Sequence, residues 1–222
     1  MIQSKKEPLK LLELFAGSRS VGKVAEELGI EVFSVDVKPF DGIDLVIDIE
    51  NLSPKMIPFQ PDIIWASPPC TTYSMAGISH HRKGKDEPIS DFAKKSDRLV
   101  INTLRICRES GAIYYIENPR AMLRKMDFMA DLERACVSYC QYGDDRMKPT
   151  DIWTNNLFSV FNVDGWIPRR MCFNGNRNCH HEAAPRGSKT GTQGRKNNYE
   201  RSKIPRELAE DCLLAAIMKL KS

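Results

Sequence analysis

Short apolar segments alternate with longer amphipathic stretches over the first half of the chain. Several of these segments are apolar on both faces, as expected for strands that helices cover on both sides. They lie at residues 10–14, 31–35, 45–47, 62–66 and 112–116. Such alternation is typical of an α/β fold with a mostly parallel, doubly wound sheet.

The second half of the chain has a different pattern. Helices are predicted over about residues 21–28, 91–109 and 205–220, and Ile204-Pro205 marks the start of the last one. From Met147 to Lys203 the chain is rich in Pro, Gly and Asn and has few long apolar runs. We expect a small loop-rich insertion there.

Composition narrows the class of protein. The chain has 222 residues, of which 41% are hydrophobic and 28% charged, close to the average for globular domains. No apolar run approaches the length of a bilayer crossing, so we expect a cytoplasmic protein without a membrane partner. Seven cysteines, an odd number without tight spacing, argue against disulfides.

Positive charge is concentrated in the loop-rich segment. Residues 165–206 contain ten Lys or Arg and only two acidic residues, although the whole chain carries a net charge of only +4. Clustered positive charge is typical of proteins that bind phosphate-bearing partners. A solvated flexible loop has the same composition, and both interpretations stay open.

Small and acidic residues follow the first strands in a pattern that indicates a nucleotide. Phe15-Ala16-Gly17-Ser18 joins a strand to a helix, where backbone amides can approach a ligand closely. Asp36 follows the second strand, 19 residues after Gly17, at a separation that suits hydrogen bonds to ribose hydroxyls. Asp48 ends the third apolar run and could reach an adenine ring. We therefore predict an adenosine-containing cofactor.

Two further strand ends carry reactive groups. Pro68-Pro69-Cys70 follows the fourth strand, and the prolines stiffen the turn that holds the thiol. Glu117 follows the fifth strand and would lie beside Cys70 if the sheet is doubly wound. The pair therefore predicts a nucleophile with a neighbouring proton donor.

These residues together resemble the S-adenosylmethionine-dependent cytosine-5 methyltransferases. Leu14-Phe15-Ala16-Gly17 resembles the first motif of that family, Pro68-Pro69-Cys70 with Ser74 its catalytic loop, and Glu117-Asn118 its sixth motif. The resemblance covers about residues 9–155 and implies a Rossmann-like class I methyltransferase fold. It also implies a set of cofactor-binding residues: Phe15, Ala16, Gly17, Ser18, Asp36, Val37, Asp48, Ile49 and Pro68.

The family's mechanism is then expected to operate here. Cys70 would add to C6 of cytosine while Glu117 stabilises protonation at N3, and C5 would take the methyl group of S-adenosylmethionine. The expected partner is double-stranded DNA with the target base flipped out of the stack. Methylation of tRNA, or a catalytically silent cofactor-binding or DNA-binding protein, are the alternatives that remain open.

Later parts of the chain depart from the family's pattern. In place of its Gln-x-Arg-x-Arg motif the chain has Gln141-Tyr142-Gly143-Asp144-Asp145-Arg146-Met147-Lys148. Arg146 is the candidate catalytic clamp on the base, and Lys148 is the second choice. An ordinary surface arginine is the alternative for Arg146. Predicted nucleic-acid contacts are Ser74, His81, Arg82, Lys148, Arg169, Arg170, Arg186 and Lys189.

The sequence pattern and the resemblance together divide the chain into three parts. Residues 1–155 are expected to bind cofactor and catalyse, residues 156–203 to form the small basic recognition insertion, and residues 204–222 to form a helix that packs back on the first part. Within the insertion, Cys172, Cys179 and His180 have the spacing of half a zinc site, which Cys140 or Cys136 could complete. A metal-free basic loop is the alternative.

Overall fold

The computed structural model describes residues 7–84, 86–173, 175–182 and 197–222. No helix within these ranges combines the length and the apolar character that a membrane crossing requires.

A seven-stranded, mostly parallel sheet forms the centre of the fold. Its strands, in chain order, are β1 (Lys10–Leu14), β2 (Glu31–Asp36), β3 (Leu45–Val46), β4 (Ile63–Ala66), β7 (Ile113–Pro119), β8 (Arg134–Ser138) and β9 (Pro149–Thr154), while β5 (Arg82–Lys83) and β6 (Glu87–Pro88) form a separate hairpin. The order across the sheet is β3-β2-β1-β4-β7-β9-β8, and β9 runs antiparallel to both of its neighbours. The predicted α/β fold with a mostly parallel sheet is confirmed.

Five α-helices accompany the sheet in the part of the chain that the structure describes. They are α1 (Ser20–Glu27), α2 (Ile78–His81), α3 (Asp91–Ser110), α4 (Asn198–Ser202) and α5 (Arg206–Lys221). The Ser90 side chain caps α3 by accepting a hydrogen bond from the Ala93 amide at 3.1 Å. Gly111 ends the helix in the left-handed conformation, with φ of 66°.

The core lies on both faces of the sheet because successive strand residues point to opposite sides. In β1, Leu11 packs towards α1 and α5, whereas Leu12 and Leu14 pack towards α3. In β4, Ile63 and Ile64 divide in the same way. Burial on both faces is the reason why these strands lack a polar side in the sequence.

Two features of the sheet differ from the sequence prediction. β7 continues to Pro119, so Glu117 lies within the strand rather than after it, because β9 pairs with this segment through Thr150. β8 and β9 were not predicted, since their pairing depends on contacts between distant segments. The chain reverses at Gly143, which has φ of 80°, between these two strands.

Candidate active site

The turn after β1 has an unusual backbone. Phe15, Gly17 and Arg19 have positive φ angles of 57°, 49° and 54°. For Phe15 and Arg19 this conformation carries a steric cost, and such strain is concentrated at functional sites. The Ala16 amide donates to the Val35 carbonyl at 3.1 Å, which joins the turn to β2.

A buried carboxylate supports this turn from inside. Glu13 is 2% exposed and accepts hydrogen bonds from the Val21 and Gly22 amides at 3.2 and 3.0 Å, at the start of α1. The Ser34 hydroxyl donates to its other oxygen at 3.0 Å. Burial raises the pKa of Glu13, and these hydrogen bonds partly offset the rise. Glu13 therefore fixes β1, β2 and α1 relative to one another.

A cleft of about 350 Å³, open solvent included, lies beside this turn. Its walls come from β1 and the turn, from β4 and from the C-terminal part of the chain: Glu13, Leu14, Phe15, Ala16, Gly17, Ser18, Ser20, Val21, Trp65, Ser67, Ser202 and Ile204. Four serine hydroxyls and a carboxylate make it suitable for a polar ligand. The cleft thus includes the predicted residues Phe15 to Ser18.

The remaining predicted cofactor residues follow β2 and β3. Asp36 accepts hydrogen bonds from the Gly17 amide at 3.0 Å and from the Lys38 amide at 2.9 Å. Val37 beside it is 57% exposed. Asp48 forms an ion pair with Lys95 at 2.5 Å.

Opposing effects act on the Asp48 carboxyl. Its burial raises the pKa, but hydrogen bonds from Lys95 and from the Glu50 amide lower it more, so the net pKa is below the usual range. The carboxylate form is therefore favoured.

Ile49 and Pro68, two of the predicted cofactor-binding residues, are buried. The Ile49 side chain is 2% exposed and packs in the core beneath α3. The predicted contact of Ile49 with a cofactor stays a prediction. Pro68 is also buried, and its carbonyl accepts a hydrogen bond from the Asn118 side chain at 2.8 Å. This bond joins the turn carrying Cys70 to β7.

Cys70 stands at the start of a 3-10 turn over Thr71–Tyr73, at the end of β4. Its side chain is partly exposed, and its thiol is free. Near it, the Asn118 Oδ1 and Thr72 Oγ1 atoms are buried without a hydrogen-bond partner in the described part of the chain. Unpaired buried polar atoms are costly and are often retained at functional sites.

Glu117 and Lys148 act electrostatically on Cys70. Burial and then the Glu117 charge raise the pKa of the Cys70 thiol, while the positive charges of Lys148 and Arg201 oppose the rise. Glu117 is 4% exposed and accepts a hydrogen bond from the Tyr139 hydroxyl at 2.7 Å. Lys148 Nζ lies 3.5 Å from Glu117 Oε1 and 4.3 Å from the centre of the Tyr139 ring. The tertiary structure therefore brings Cys70, Glu117 and Lys148 into one site.

Arg146 has a different environment from the one expected of a base clamp. It is 3% exposed, and its guanidinium donates to both Asp144 oxygens, at 2.7 and 2.5 Å. It also donates to the carbonyls of Arg201 at 3.0 Å and Lys203 at 3.3 Å. These contacts correct its predicted role: Arg146 connects the β8–β9 loop to the approach to α5, and Lys148 is the cation beside Glu117.

Arg82 also lies inside the protein rather than on its surface. Its guanidinium, 3% exposed, pairs with Asp97 at 2.5 Å and donates to the Thr72 carbonyl at 3.2 Å. The predicted contact of Arg82 with nucleic acid is therefore corrected to a positioning role for the Cys70 loop. Ser74 and His81 remain partly exposed beside that loop, and His81 shares a hydrogen bond with Ser90 at 2.9 Å.

Predicted contacts in the basic segment divide into three groups. Arg169 donates to Asp211 at 3.0 Å and to Glu207, and lies 4.7 Å from the centre of the Tyr142 ring, so it attaches this segment to α5. A contact of Arg169 with nucleic acid stays a prediction. Arg170 is exposed. Arg186 and Lys189 lie outside the described residues.

Three cysteines and one histidine converge in the same region. The ligand atoms of Cys140, Cys172, Cys179 and His181 all lie within 4.8 Å of one another. Cys172 and Cys179 were predicted together, and Cys140 was one of two candidates to join them. The histidine in the cluster is His181, whereas the predicted His180 is exposed.

Sequence reasoning missed several members of the site. Tyr139 comes from a segment without a recognised motif. Ser202 and Ile204 lie in a stretch, residues 201–205, that resembles the family's last motif but was not assigned a cofactor contact. Glu13 was assigned only to a strand. A carboxylate within an otherwise apolar strand was the available signal for Glu13, because such a group requires hydrogen-bond partners when buried. No local signal marks Tyr139.

Comparisons with known proteins add to this geometry. No protein-family model matches the chain. The chain is 26% identical over 170 residues to a Frog virus 3 (isolate Goorha) protein named probable DNA (cytosine-5)-methyltransferase, covering 72% of this chain and 74% of the viral protein. The resemblance to cytosine-5 methyltransferases is confirmed by this similarity.

Solved structures give the same assignment of the fold. The Entamoeba histolytica methyltransferase EhMeth superposes with a TM-score of 0.59 at 12% identity. The alignment covers 98% of this chain and 100% of the EhMeth chain. A mutant of Spodoptera frugiperda DNMT2 aligns with a TM-score of 0.47 at 18% identity, over 66% of this chain and 49% of that one. The superposition on EhMeth confirms the predicted Rossmann-like fold.

Proposed function

We propose that this relative of the cytosine-5 methyltransferases transfers a methyl group from S-adenosylmethionine to C5 of cytosine in DNA. The observation that carries the proposal is the placement of a partly exposed thiol, Cys70, after β4 and of a buried carboxylate, Glu117, near the carboxyl end of the neighbouring strand β7. The hydrogen bond of 2.8 Å from the Asn118 side chain to the Pro68 carbonyl joins these two segments. Ligands of α/β proteins bind at the carboxyl ends of the parallel strands, where the cleft beside Phe15–Ser18 also lies.

The residues around the cleft fit the proposed cofactor. Asp36 is an acceptor suited to ribose hydroxyls, and its hydrogen bond with Gly17 holds the turn in place. Exposed Val37 offers an apolar surface for a base, and Ser202 and Ile204 close the cleft from the other end of the chain. When bound, S-adenosylmethionine supplies an electrophilic methyl group on a sulfonium.

Cys70 and Glu117 would activate the cytosine ring, which is a weak nucleophile at C5. The Cys70 thiolate forms a bond to C6, and the electrons of the C5–C6 double bond move towards C5 while Glu117 stabilises the proton at N3. C5 would then take the methyl group as the methyl–sulfur bond breaks, and S-adenosylhomocysteine would be the leaving group. Loss of the C5 proton and expulsion of the Cys70 thiolate restore the ring, so a covalent intermediate divides one high barrier into two.

Lys148, Tyr139 and Asn118 would position these groups. Tyr139 donates to Glu117 and fixes the direction of the carboxyl group, and Lys148 provides a cation beside it. Asn118 holds the Cys70 turn through the Pro68 carbonyl. We propose Lys148 rather than Arg146 as the clamp on the base, because the Arg146 guanidinium is already bound to Asp144.

Trapping on a fluorinated substrate tests the proposal. In 5-fluorocytosine, fluorine replaces the C5 proton whose loss releases the enzyme, so the Cys70 adduct accumulates once the methyl group has been transferred. The protein incubated with S-adenosylmethionine and a duplex DNA library containing 5-fluorocytosine should form an adduct that survives denaturing electrophoresis. Peptide mass spectrometry should place the modification on Cys70.

Matched variants and substrates decide between the alternatives. Cys70→Ser should give no adduct, whereas Cys136→Ser, at another partly exposed cysteine, should react like the wild type. An adduct with fluorinated tRNA but none with DNA would overturn the choice of substrate. Absence of adducts on both nucleic acids, despite bound cofactor, would instead identify a silent binding protein.

A further inference from the structure

We propose that Cys140, Cys172, Cys179 and His181 bind one Zn²⁺ ion that has a structural role. The four side chains come from two segments: Cys140 follows β8, and the other three lie in a loop more than thirty residues later. Their ligand atoms nevertheless lie within 4.8 Å of one another. All three cysteines have free thiols.

Two distances within the cluster are close to those of a tetrahedral site. His181 Nδ1 lies 3.2 Å from Cys179 Sγ and 3.6 Å from Cys172 Sγ. Zinc bonds of about 2.3 Å to sulfur and about 2.0 Å to nitrogen place such N and S ligands about 3.5 Å apart, and two sulfurs about 3.8 Å apart. A metal ion could therefore enter the cluster with only small movements of the side chains.

Neighbouring amides are placed as supporting groups for thiolate ligands. Gln141 Nε2 lies 3.6 Å from Cys179 Sγ and 3.8 Å from Cys140 Sγ. Asn176 Nδ2 lies 3.4 Å from Cys172 Sγ. Hydrogen bonds from such groups orient metal ligands and stabilise the charge of bound thiolates.

The ligand set indicates both the metal and its role. Three sulfurs and one imidazole are soft to borderline ligands, which favour zinc over magnesium or calcium. Four protein ligands fill a tetrahedron and leave no position open for substrate. The site would therefore stabilise the fold rather than take part in catalysis.

A metal ion here would hold the loop of residues 172–182 against the sheet. The Cys172 amide already bonds to the Ser138 hydroxyl at 3.0 Å, and the Glu182 amide bonds to the Asp145 carbonyl at 2.8 Å. The large apolar side chain of Phe173 in this loop is 64% exposed and so contributes little to the core. A metal would provide the stability that such a segment cannot gain from hydrophobic burial.

Metal analysis of the full-length protein tests the site. Protein purified without chelators and dialysed against zinc should contain about one zinc ion per chain, measured by inductively coupled plasma mass spectrometry. Exchange with Co²⁺ should produce the visible absorption of tetrahedral cobalt and a thiolate-to-cobalt charge-transfer band. Both measurements are independent of enzymatic activity.

Two pairs of variants identify the ligands. His181→Ala should lose at least about tenfold in zinc affinity, while His180→Ala, at the adjacent exposed histidine, should keep the metal. Cys179→Ser should lose the charge-transfer band more severely than Cys136→Ser, whose sulfur lies outside the cluster.

Certain results would overturn the site. Wild-type protein that stays folded by circular dichroism, binds neither zinc nor cobalt and has freely reactive thiols at all three cysteines would exclude it. Equal metal binding by His181→Ala and His180→Ala would exclude the proposed ligand set. If the cluster variants unfold, cobalt titration of chelator-treated wild-type protein still decides, because a featureless spectrum contradicts three thiolate ligands.

Discussion

Glu117 links three functional groups through one carboxylate. It accepts a hydrogen bond from Tyr139, lies 3.5 Å from Lys148 and raises the pKa of Cys70 through its charge. Burial of Tyr139, together with the nearby Glu117 charge, raises the pKa of the Tyr139 hydroxyl well above its usual range, so this group stays a hydrogen-bond donor. Because burial and the Glu117 charge raise the pKa of Cys70, this arrangement favours the thiol over the thiolate.

The pH dependence of Cys70 alkylation should reveal the effects of the Glu117 and Lys148 charges on the pKa of Cys70. Glu117→Gln removes a charge that raises the pKa of Cys70, so the pH profile of alkylation by iodoacetamide should shift to lower pH. Lys148→Met removes a charge that lowers the same pKa and should shift the profile to higher pH. Glu117→Gln should nevertheless reduce kcat by about 10²–10⁴-fold, because proton transfer to the base is impaired.

Cys136 provides an internal control in the same samples. Burial and then Asp151 raise the pKa of Cys136, and neither effect involves Glu117 or Lys148. Its profile, measured by peptide mass spectrometry, should stay unchanged in both variants. Shifts of Cys70 in the same direction in the two variants would contradict the proposed arrangement of charges.

Helix α1 illustrates how one element adapts to a buried side chain. A Cβ atom at Gly22 would lie 2.5 Å from Glu13 Oε2, so the close approach of helix and carboxylate requires glycine. The absence of a side chain allows the Gly22 amide to donate to Glu13 at 3.0 Å. Glycine is ordinarily unfavourable within a helix, and here the hydrogen bonds offset that cost.

Gly22→Ala should therefore destabilise the protein despite the better helix propensity of alanine. Propensity alone predicts a gain of about 1 kcal/mol. Displacement of the buried Glu13 carboxylate should outweigh this gain and lower the free energy of unfolding by about 1–3 kcal/mol. Urea unfolding at neutral pH measures the difference.

The same helix offers a matched control. Lys23 is exposed in α1, so Lys23→Ala should change the free energy of unfolding by less than about 0.5 kcal/mol. A Gly22→Ala protein more stable than the wild type would show that Glu13 can move without cost.

Helix α5 joins the last part of the chain to the central sheet and to α1. α5 packs against α1, and the Tyr115 hydroxyl of β7 donates to the Cys212 carbonyl of α5 at 2.8 Å. Arg169 adds ion pairs with Glu207 and Asp211 on the same helix. Segments from the two ends of the chain thus form one core, although the predicted boundaries at residues 155 and 203 stay a prediction.

Two adjacent leucines in α5 should differ in their contribution to this core. Leu213 is 0% exposed and Leu214 is 42% exposed. Leu213→Ala should lower the free energy of unfolding by about 2–5 kcal/mol, because it leaves a cavity between α5 and the sheet. Leu214→Ala should cost less than about 1 kcal/mol. Comparable losses in urea unfolding of the two variants would contradict the packing of α5.

The local pattern determined the first five strands of the main sheet and the three long helices. Apolar segments and the Pro205 start signal act over a few residues, and their positions agree closely with β1 to β4, α3 and α5. The candidate catalytic positions Cys70 and Glu117 could also be proposed from the sequence, because each belongs to a short motif near the carboxyl end of a strand.

Tertiary structure alone decided which charged side chains remain available for a ligand. In the sequence, Arg82 and Arg146 look like surface cations. In the structure both are buried, Arg82 in an ion pair with Asp97 and Arg146 in an ion pair with Asp144. His181 joins the cysteine cluster and His180 does not, although the two are adjacent. Composition and spacing do not encode such choices, because they depend on which atoms meet when distant segments pack together.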